Sequence, residues 1–327
     1  MSHELLAKLN DLTRALRETP IVKLDVEGMN LLAKMEGYNP IGSLKDRPAL
    51  WILRNAALRG EIDEGTTLVE SSSGNFASAL AFVARSVGLK FVPVIDPNIS
   101  SSYEAFLRQN CSKVVKVNES EGGEGFLQAR LRKVEEFCRS NENAFWTNQY
   151  GNLDAIDAHR CLTGEEICAQ VDELDYVFIG VSTGATIAGV SQRLKERFPR
   201  VRIVAVDAEG STIFGGPSKR RHIPGLGASV RSKLLDHALI DEVVIVPEAD
   251  AVNACRTLLT RHGLLVGGSS GSCYAAVQRL ASRMRARRRP PTVLFLCADR
   301  GTAYADTIFN DAWVAKRYPA HHPGLAA

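Results

Sequence analysis

The sequence predicts an α/β protein with two lobes, each built on a mostly parallel sheet flanked by helices. The chain has 327 residues and is 45% hydrophobic, so it is long enough to bury two cores. Short apolar segments alternate with longer helical segments in two series, one on each side of residue 150. Strands that alternate with helices form parallel sheets that are covered on both faces.

The first series follows a polar, helical leader at the start of the chain. Residues 19–24 and 29–36 are short apolar segments and predict two strands joined by a turn near Gly28. Leucines and alanines at spacings of three and four predict a helix over residues 47–58. The same patterns predict strands at 67–70, 91–95 and 113–117, and helices at 76–87 (ended by Gly88), 101–110 and 125–139.

The second series repeats this alternation. It predicts strands at 176–179, 202–206, 242–246 and 292–297, and helices at 162–170, 187–197, 249–262 and 272–284. A segment rich in Gly and Pro, residues 210–227, interrupts it. An irregular segment of this length in a compact domain is usually functional.

Composition excludes several classes of function. The net charge of +3 gives no reason to expect a nucleic-acid partner, and the basic run at 283–289 is typical of a solvated helix end. No apolar stretch is long enough for a membrane span, and the start does not resemble a signal peptide, so we expect a cytoplasmic protein with no membrane partner. The seven scattered cysteines contain no C-x-x-C pair, which predicts reduced thiols and no metal site.

Lys45 lies where turn-forming residues lead into the 47–58 helix. Pro40 removes a backbone donor, and Asn39 and Gly42 favour turns. Lys45 is therefore placed near the positive end of a helix, where a free cation is mildly disfavoured. This placement fits a lysine that forms a Schiff base with an aldehyde cofactor, whereas the structural alternative is a surface lysine in a loop.

Residues 71–75 form the first of three polar turns between a strand and a helix. Three serines, a glycine and Asn75 cluster there, and backbone N–H groups at a helix start bind carboxylates or phosphates. Asn75 can also donate to a phenolate or carbonyl oxygen. N-capping by Ser or Asn is the structural alternative, but capping requires only one hydroxyl.

The other two turns are residues 180–186 and 267–271. Small residues and the hydroxyls of Ser182, Thr183 and Thr186 favour a singly esterified phosphate, although a tight structural turn explains this pattern equally well. A neutral hydroxyl in the 267–271 turn, placed against a pyridine nitrogen, would leave that nitrogen unprotonated and so favour chemistry at a β carbon. A Schiff-base lysine, a phosphate turn and this hydroxyl together describe pyridoxal phosphate.

These groups resemble the fold-type II pyridoxal-phosphate enzymes, which share the fold of the tryptophan synthase β chain, and in particular the cysteine synthase and cystathionine β-synthase group. Residues 39–47 are similar to the family's cofactor-lysine segment, and residues 72–75 to its Thr-Ser-Gly-Asn substrate loop. Residues 182–186 stand where the family has a Gly-Thr-Gly-Gly-Thr phosphate loop, and Ser269 opens its Ser-Ser-Gly motif. The resemblance extends from Thr19 to about residue 301.

The resemblance implies a role for each matching residue. The implied cofactor-binding residues are Lys45, which is also the catalytic residue, Asn75, Ser182, Thr183, Gly184, Ala185, Thr186 and Ser269. The implied substrate-binding residues are Ser72, Ser73, Gly74, Gln149, Tyr150 and Ser182. It also implies a larger lobe of residues 1–37 and 151–327 that binds the cofactor phosphate, a smaller mobile lobe of residues 38–150, and a homodimer.

Two departures narrow the expected reaction. Phe76 replaces a threonine that helps to bind the carboxylate, and Ser182 replaces a glycine. Together with residues 206–215, 223–229 and 299–301, they resemble the family members that join O-phospho-L-serine to the amine of L-glutamate, a step toward 2,3-diaminopropionate in siderophore synthesis.

The two glutamate carboxylates call for a cationic or hydroxyl-lined pocket. Candidates are Ser182, Tyr150 and the basic group at 219–222. A solvated loop explains that basic group equally well. The main alternative is a cysteine synthase that uses sulfide with O-acetyl- or O-phosphoserine. A serine or threonine dehydratase and a catalytically silent binding protein are further alternatives.

Overall fold

The computed structural model describes residues 3–119, 126–286 and 289–319. Gly125, the predicted first residue of one helix, and Arg287 and Arg288 of the basic run lie outside the described residues. The strands are β1 (Ile21–Leu24), β2 (Asn30–Met35), β3 (Thr67–Ser71), β4 (Lys90–Ile95), β5 (Val115–Lys116), β6 (Ala144–Trp146), β7 (Tyr176–Gly180), β8 (Arg202–Ala208), β9 (Glu242–Val246) and β10 (Thr292–Cys297).

The α-helices flank these strands in sequence. They are α1 (His3–Ala15), α2 (Asp46–Arg59), α3 (Asn75–Val87), α4 (Ser101–Asn110), α5 (Phe126–Ser140), α6 (Asp154–Ala158), α7 (Glu165–Gln170), α8 (Ala185–Arg197), α9 (Glu248–His262), α10 (Gly268–Arg285) and α11 (Asp311–Arg317). A π-helical stretch, His159–Gly164, separates α6 from α7.

The chain divides into two compact units. The smaller unit contains Met1–Arg17, Asn39–Ile41 and Lys45–Ala158, and the larger unit contains Glu18–Tyr38, Gly42–Leu44 and His159–Ala327. This division differs from the predicted lobes in placing the leader helix and α6 in the smaller unit, and Tyr38 and Gly42–Leu44 in the larger unit.

Side-chain contacts with α2 explain why the leader helix and α6 belong to the smaller unit. Arg54 on α2 donates to Asn10 Oδ1 on α1 at 2.8 Å. Asn55 on α2 donates to Asp154 Oδ1 on α6 at 2.8 Å, and Arg59 Nη2 donates to Asp154 Oδ2 at the same distance. Helices α1 and α6 are therefore both anchored to α2.

The smaller unit is built on a four-stranded sheet in the order β5-β4-β3-β6, in which every pair is parallel. The central strand β3 is buried from Leu68 to Ser71, as expected for a strand with neighbours on both edges and helices over both faces. Because the strands are parallel, the segments that follow β3 and β6 leave the sheet at the same edge.

The larger unit is built on a six-stranded sheet in the order β1-β2-β10-β7-β8-β9. Strands β1 and β2 form an antiparallel hairpin, and every other pair is parallel. The central strand β10 is buried at all six positions, and apolar residues on both faces of this sheet form the core. The segments after β7, β8 and β10 therefore emerge at one edge.

The structure confirms the predicted α/β class, and most predicted strands and helices agree with it to within two residues. Strand β6 and helices α6 and α11 are absent from the predicted elements. Helix α10 begins at Gly268, so residues 268–271 form its first turn instead of the predicted loop. Among the described residues, no helix is long and apolar enough to cross a membrane.

The first turn of α10 is helical because tight packing requires its glycines. A Cβ on Gly271 would lie 2.4 Å from the Ala251 carbonyl oxygen and 2.3 Å from Cys255 Sγ, both on α9. Glycine therefore allows α9 and α10 to approach closely, and this tertiary contact outweighs the poor helix propensity of the Gly-Gly-Ser-Ser-Gly sequence.

A buried lysine stabilises the β1–β2 side of the larger unit. Lys34 is fully buried, and its Nζ donates to the Thr19 carbonyl oxygen at 2.7 Å, to Glu166 Oε2 at 2.7 Å and to Gln170 Oε1 at 2.9 Å. These contacts join β2 to α7 and satisfy an otherwise costly buried charge.

We expect Lys34→Met to lower the free energy of unfolding by about 3–5 kcal/mol, because it leaves the Glu166 carboxylate without its cation. Urea denaturation followed by circular dichroism measures this. Lys219→Met is a matched control: Lys219 pairs with Glu209, but their side chains are 57% and 48% exposed, so the loss should stay below about 1 kcal/mol. Equal losses in the two variants would contradict the assignment.

Candidate active site

The predicted site residues fall into two sets, one in each unit. The smaller unit carries Lys45, Ser72, Ser73, Gly74, Asn75, Gln149 and Tyr150. The larger unit carries Ser182, Thr183, Gly184, Ala185, Thr186 and Ser269. Each set lies at or just after the carboxyl end of parallel strands or at the start of a helix, where ligands bind in open α/β sheets.

Lys45 immediately precedes α2 and occupies the N-cap position, as the sequence predicts. The residue retains some accessible surface, but the protein atoms around its amine replace much of its water. This desolvation lowers the pKa of Lys45 from 10.5 to about 8, while the negative charge of Glu70 opposes the shift. The amine is therefore easier to deprotonate, and so more nucleophilic near neutral pH, than an ordinary lysine.

The turn after β3 presents Ser72, Ser73 and Asn75 at the start of α3. Ser72 Oγ accepts from the Ala77 N–H at 3.2 Å, so the capping alternative holds for this one hydroxyl. Tyr103 Oη donates to Asn75 Oδ1 at 2.5 Å, which identifies Nδ2 as the donating side of that amide. The space beside Gly74 is open, since a Cβ built there would have no atom within 4 Å.

Gln149 is buried beside this turn. Its Nε2 donates to the Ser71 carbonyl oxygen at 3.0 Å, and its backbone N–H donates to Glu70 Oε2 at 3.1 Å. Asn148, which precedes it, has a φ of 48°, a left-handed conformation that Asn tolerates better than most residues. The chain thus turns sharply after β6 and brings Gln149 to the end of β3.

Arg130 on α5 reaches the same turn. Its Nη1 donates to Ser73 Oγ at 3.0 Å, and its Nε lies 3.3 Å from Asp96 Oδ2. Burial raises the pKa of Tyr150, and the charge of Arg130 opposes that shift. A largely buried guanidinium therefore stands next to the Ser73 hydroxyl and within electrostatic reach of Tyr150.

The 182–186 turn leads from β7 into α8. Gly184 has a φ of 88°, and a Cβ there would lie 2.8 Å from the backbone nitrogen of Leu235, so only glycine fits this position. Thr186 Oγ1 is 3.2 Å from His159 Nε2, and Ser182 Oγ donates to the Gly227 carbonyl oxygen at 3.2 Å. The N–H groups that open a 13-residue helix are suited to an anion.

Ser269 lies in the first turn of α10, close to the end of β7. A Cβ on Gly180 would lie 3.7 Å from Ser269 Cβ and 2.8 Å from Leu226 Cδ1. Three segments of the larger unit therefore meet: the end of β7, the first turn of α10 with Ser269, and the 223–227 segment. Glycine at position 180 leaves room for the Leu226 side chain.

The basic group at 219–222 has acidic neighbours in the larger unit. Lys219 Nζ contacts Glu209 Oε1 at 2.5 Å, and the backbone N–H of His222 donates to Glu248 Oε1 at 2.7 Å. Desolvation lowers the pKa of Arg221, and the Asp207 carboxylate opposes the shift. These contacts favour a structural role for Lys219.

Sequence reasoning missed four polar residues of these sets. Glu70 contacts Gln149, Tyr103 contacts Asn75, Thr147 contacts Glu70, and His159 contacts Thr186. Of these four, only Glu70 could have been found from the sequence. Burying a carboxylate at the end of an apolar strand costs free energy unless specific contacts stabilise it.

The family model described as pyridoxal-phosphate dependent enzyme matches residues 12–299. Two curated relatives carry the name N-(2-amino-2-carboxyethyl)-L-glutamate synthase. The protein from Ralstonia nicotianae is 40% identical over 303 residues, which are 91% of this chain and 89% of the relative. The protein from Cupriavidus metallidurans is 38% identical over 315 residues, 94% of this chain and 92% of the relative.

The fold is also similar to that of a solved structure, O-ureido-L-serine synthase. That structure has a TM-score of 0.83 and 29% sequence identity, and the similarity covers 96% of this chain and 99% of the other.

We expect Lys45 to react with an amine-labelling reagent in a pH-dependent way, with a midpoint at about 8, because only the neutral amine is a nucleophile. Pulse labelling of the full-length chain without bound ligand, followed by peptide mass spectrometry, measures this. A midpoint near the value of about 10.4 for an unperturbed lysine would contradict the proposed desolvation.

Proposed function

Because this chain belongs to the family of pyridoxal-phosphate dependent enzymes, we propose that it joins O-phospho-L-serine to L-glutamate by β-replacement. The products would be N-(2-amino-2-carboxyethyl)-L-glutamate and phosphate. The observation that carries the proposal is the similarity, along more than nine tenths of the chain, to two proteins named for this synthesis.

The residues fit the cofactor. Lys45 offers an amine of lowered pKa to the cofactor's aldehyde, and residues 182–186 offer hydroxyls and helix N–H groups to its phosphate without a lysine or arginine in the turn. Ser269 would face the ring nitrogen, and Asn75 Nδ2 would donate to the ring hydroxyl. When bound, pyridoxal phosphate supplies an electron sink that makes the substrate α proton acidic and allows a β substituent to leave.

Lys45 would act in two ways. It would hold the cofactor covalently until the substrate amine takes its place, and its freed Nζ would then remove the α proton. A base works best when its pKa lies near the working pH, and a pKa of about 8 meets this requirement better than 10.5.

The 71–75 turn and Gln149 would bind the O-phospho-L-serine carboxylate. Ser73, Asn75 and Gln149 provide donors on one side of the smaller unit, while Ser72 already accepts from the Ala77 N–H. In the net reaction the Cβ–O bond to phosphate breaks, a Cβ–N bond to the glutamate amine forms, and that amine releases a proton.

Arg130 would bind a glutamate carboxylate. A guanidinium is the side chain best suited to a carboxylate, and Arg130 already contacts Ser73 in the proposed substrate turn. Tyr150 and Ser182 would add hydroxyl donors. In contrast, Phe76 is buried at the start of α3 and supplies no hydroxyl to this turn.

Finer aspects of the proposal rest on the family resemblance. We propose that the product serves as a precursor of L-2,3-diaminopropionate in siderophore synthesis, and that the protein works in the cytoplasm as a homodimer.

Mass spectrometry of the products tests the main proposal. With the cofactor, O-phospho-L-serine and L-glutamate, we expect the condensed amino acid and one equivalent of phosphate, and neither when glutamate is omitted. Lys45→Ala should abolish the product.

Parallel reactions with sulfide and O-acetyl-L-serine separate the alternatives. Cysteine formation from sulfide without any condensed product from glutamate would show that the protein is a cysteine synthase. Pyruvate from O-phosphoserine alone, at the full rate, would indicate a dehydratase.

We expect Arg130→Gln to raise the KM for glutamate about tenfold or more, the effect of losing one charge-assisted hydrogen bond of about 1.5–3 kcal/mol. Steady-state kinetics with each substrate varied in turn measures this. Arg132→Gln, an exposed position on the same helix, is the control. An unchanged KM for glutamate with a raised KM for O-phosphoserine would show that Arg130 only orients Ser73.

A further inference from the structure

Glu70 carries a buried carboxylate in the smaller unit. It is fully buried near the end of β3, a strand with paired neighbours on both edges. The β3–β6 pairing ends at Val69 and Trp146, so the Glu70 side chain lies where the two strands give way to loops. A carboxylate in this place is costly unless its surroundings replace the lost water.

Three donors from two segments surround Glu70. Oε1 accepts from the Ser71 N–H at 2.7 Å, and Oε2 accepts from Thr147 Oγ1 at 2.6 Å and from the Gln149 N–H at 3.1 Å. Gln149 Nε2 donates back to the Ser71 carbonyl oxygen at 3.0 Å. The carboxylate and Gln149 thus fasten the loop after β3 to the loop after β6.

These contacts favour the ionised form of the Glu70 carboxylate. The two backbone N–H groups can only donate, and an ionised carboxylate is the form that accepts without donating. Burial raises the pKa of Glu70, whereas the hydrogen bonds from Thr147, Gln149 and Ser71 and the Trp146 side chain oppose that shift. Among the described residues, no lysine or arginine forms an ion pair with Glu70, so its charge acts on its surroundings through space.

The Glu70 charge reaches Lys45. It opposes the desolvation that lowers the pKa of the Lys45 amine, and it also acts in the same direction on Tyr150. The Glu70 carboxylate thereby contacts the 71–75 turn and Gln149. Its charge also affects the pKa of Lys45, the proposed base.

We propose that Glu70 is a positioning residue for the reaction: its carboxylate fixes the 71–75 turn to the Gln149 segment and places a negative charge within reach of Lys45. This inference rests on the proposed role of Lys45 but not on the identity of the nucleophile. Glu70 does not need to contact either substrate.

The experiment compares Glu70→Gln with Glu36→Gln. Glu36 is a fully buried glutamate of the larger unit that accepts from Thr19 Oγ1, so its variant reports the general effect of neutralising a buried carboxylate. In the full-length chain freed of cofactor, the pH midpoint of Lys45 labelling should fall by about one unit in Glu70→Gln, because the variant removes an opposite charge that favours the protonated amine. It should not move in Glu36→Gln.

The holoenzyme provides a second readout. The lower limb of the kcat pH profile should move to lower pH in Glu70→Gln, and the KM for O-phosphoserine should rise because the Gln149 segment loses an acceptor. A purely structural role would lower stability without moving either midpoint, and unchanged midpoints would overturn the proposal. Labelling requires no substrate, so this result does not depend on whether glutamate or sulfide is the nucleophile.

Thr147→Val keeps the proposal testable if Glu70→Gln does not fold. Valine nearly preserves the shape of threonine but removes the Thr147 donor, so the Glu70 charge is less stabilised. Because this variant removes a link between the loops after β3 and β6, we expect the KM for O-phosphoserine to rise, and an unchanged KM in a folded Thr147→Val would contradict the proposal.

Discussion

Neighbouring parallel strands end at the same edge of a sheet, and the candidate residues that follow β3, β6 and β7 depend on this constraint. In the smaller unit it brings the loops after β3 and β6 together, so Gln149 can contact Ser71 although 78 residues separate them in sequence. In the larger unit the turn after β7 lies at such an edge, and the first turn of α10, which follows helix α9, packs beside it. Small residues then decide how closely such segments approach, as Gly180 does beside Leu226.

Lys34 and Lys45 show how the surroundings of a lysine amine determine whether it is held as a cation. Lys34 is encircled by a carboxylate and two oxygen acceptors, which replace its water and hold the cation in place. Desolvation lowers the pKa of Lys45 to about 8, although the charge of Glu70 opposes this shift. The first amine is held as a buried cation, whereas the second is easier to deprotonate near neutral pH.

The sequence predicted the α/β class and most elements because apolar periodicity is strong in both series. It also predicted that Lys45 precedes a helix and that residues 71–75 and 180–186 connect a strand to a helix, since hydroxyls and glycines in such turns are visible without a structure. It placed the start of α10 too late, because the close approach of Gly271 to α9 is a tertiary contact that no local pattern reveals. Tyr103 and His159 were missed for a similar reason: their partners, Asn75 and Thr186, are 28 and 27 residues away.

The positions of the 182–186 turn differ in the substitutions that they tolerate. Gly184 cannot change, since a side chain there would meet the Leu235 backbone, and Thr186 is tied to the buried His159. Among the described residues, the Ser182 hydroxyl donates to the Gly227 carbonyl oxygen, and other small residues can occupy its place without disturbing the turn. Substitutions at position 182 can therefore change the side chain offered by this turn while the backbone that opens α8 stays intact.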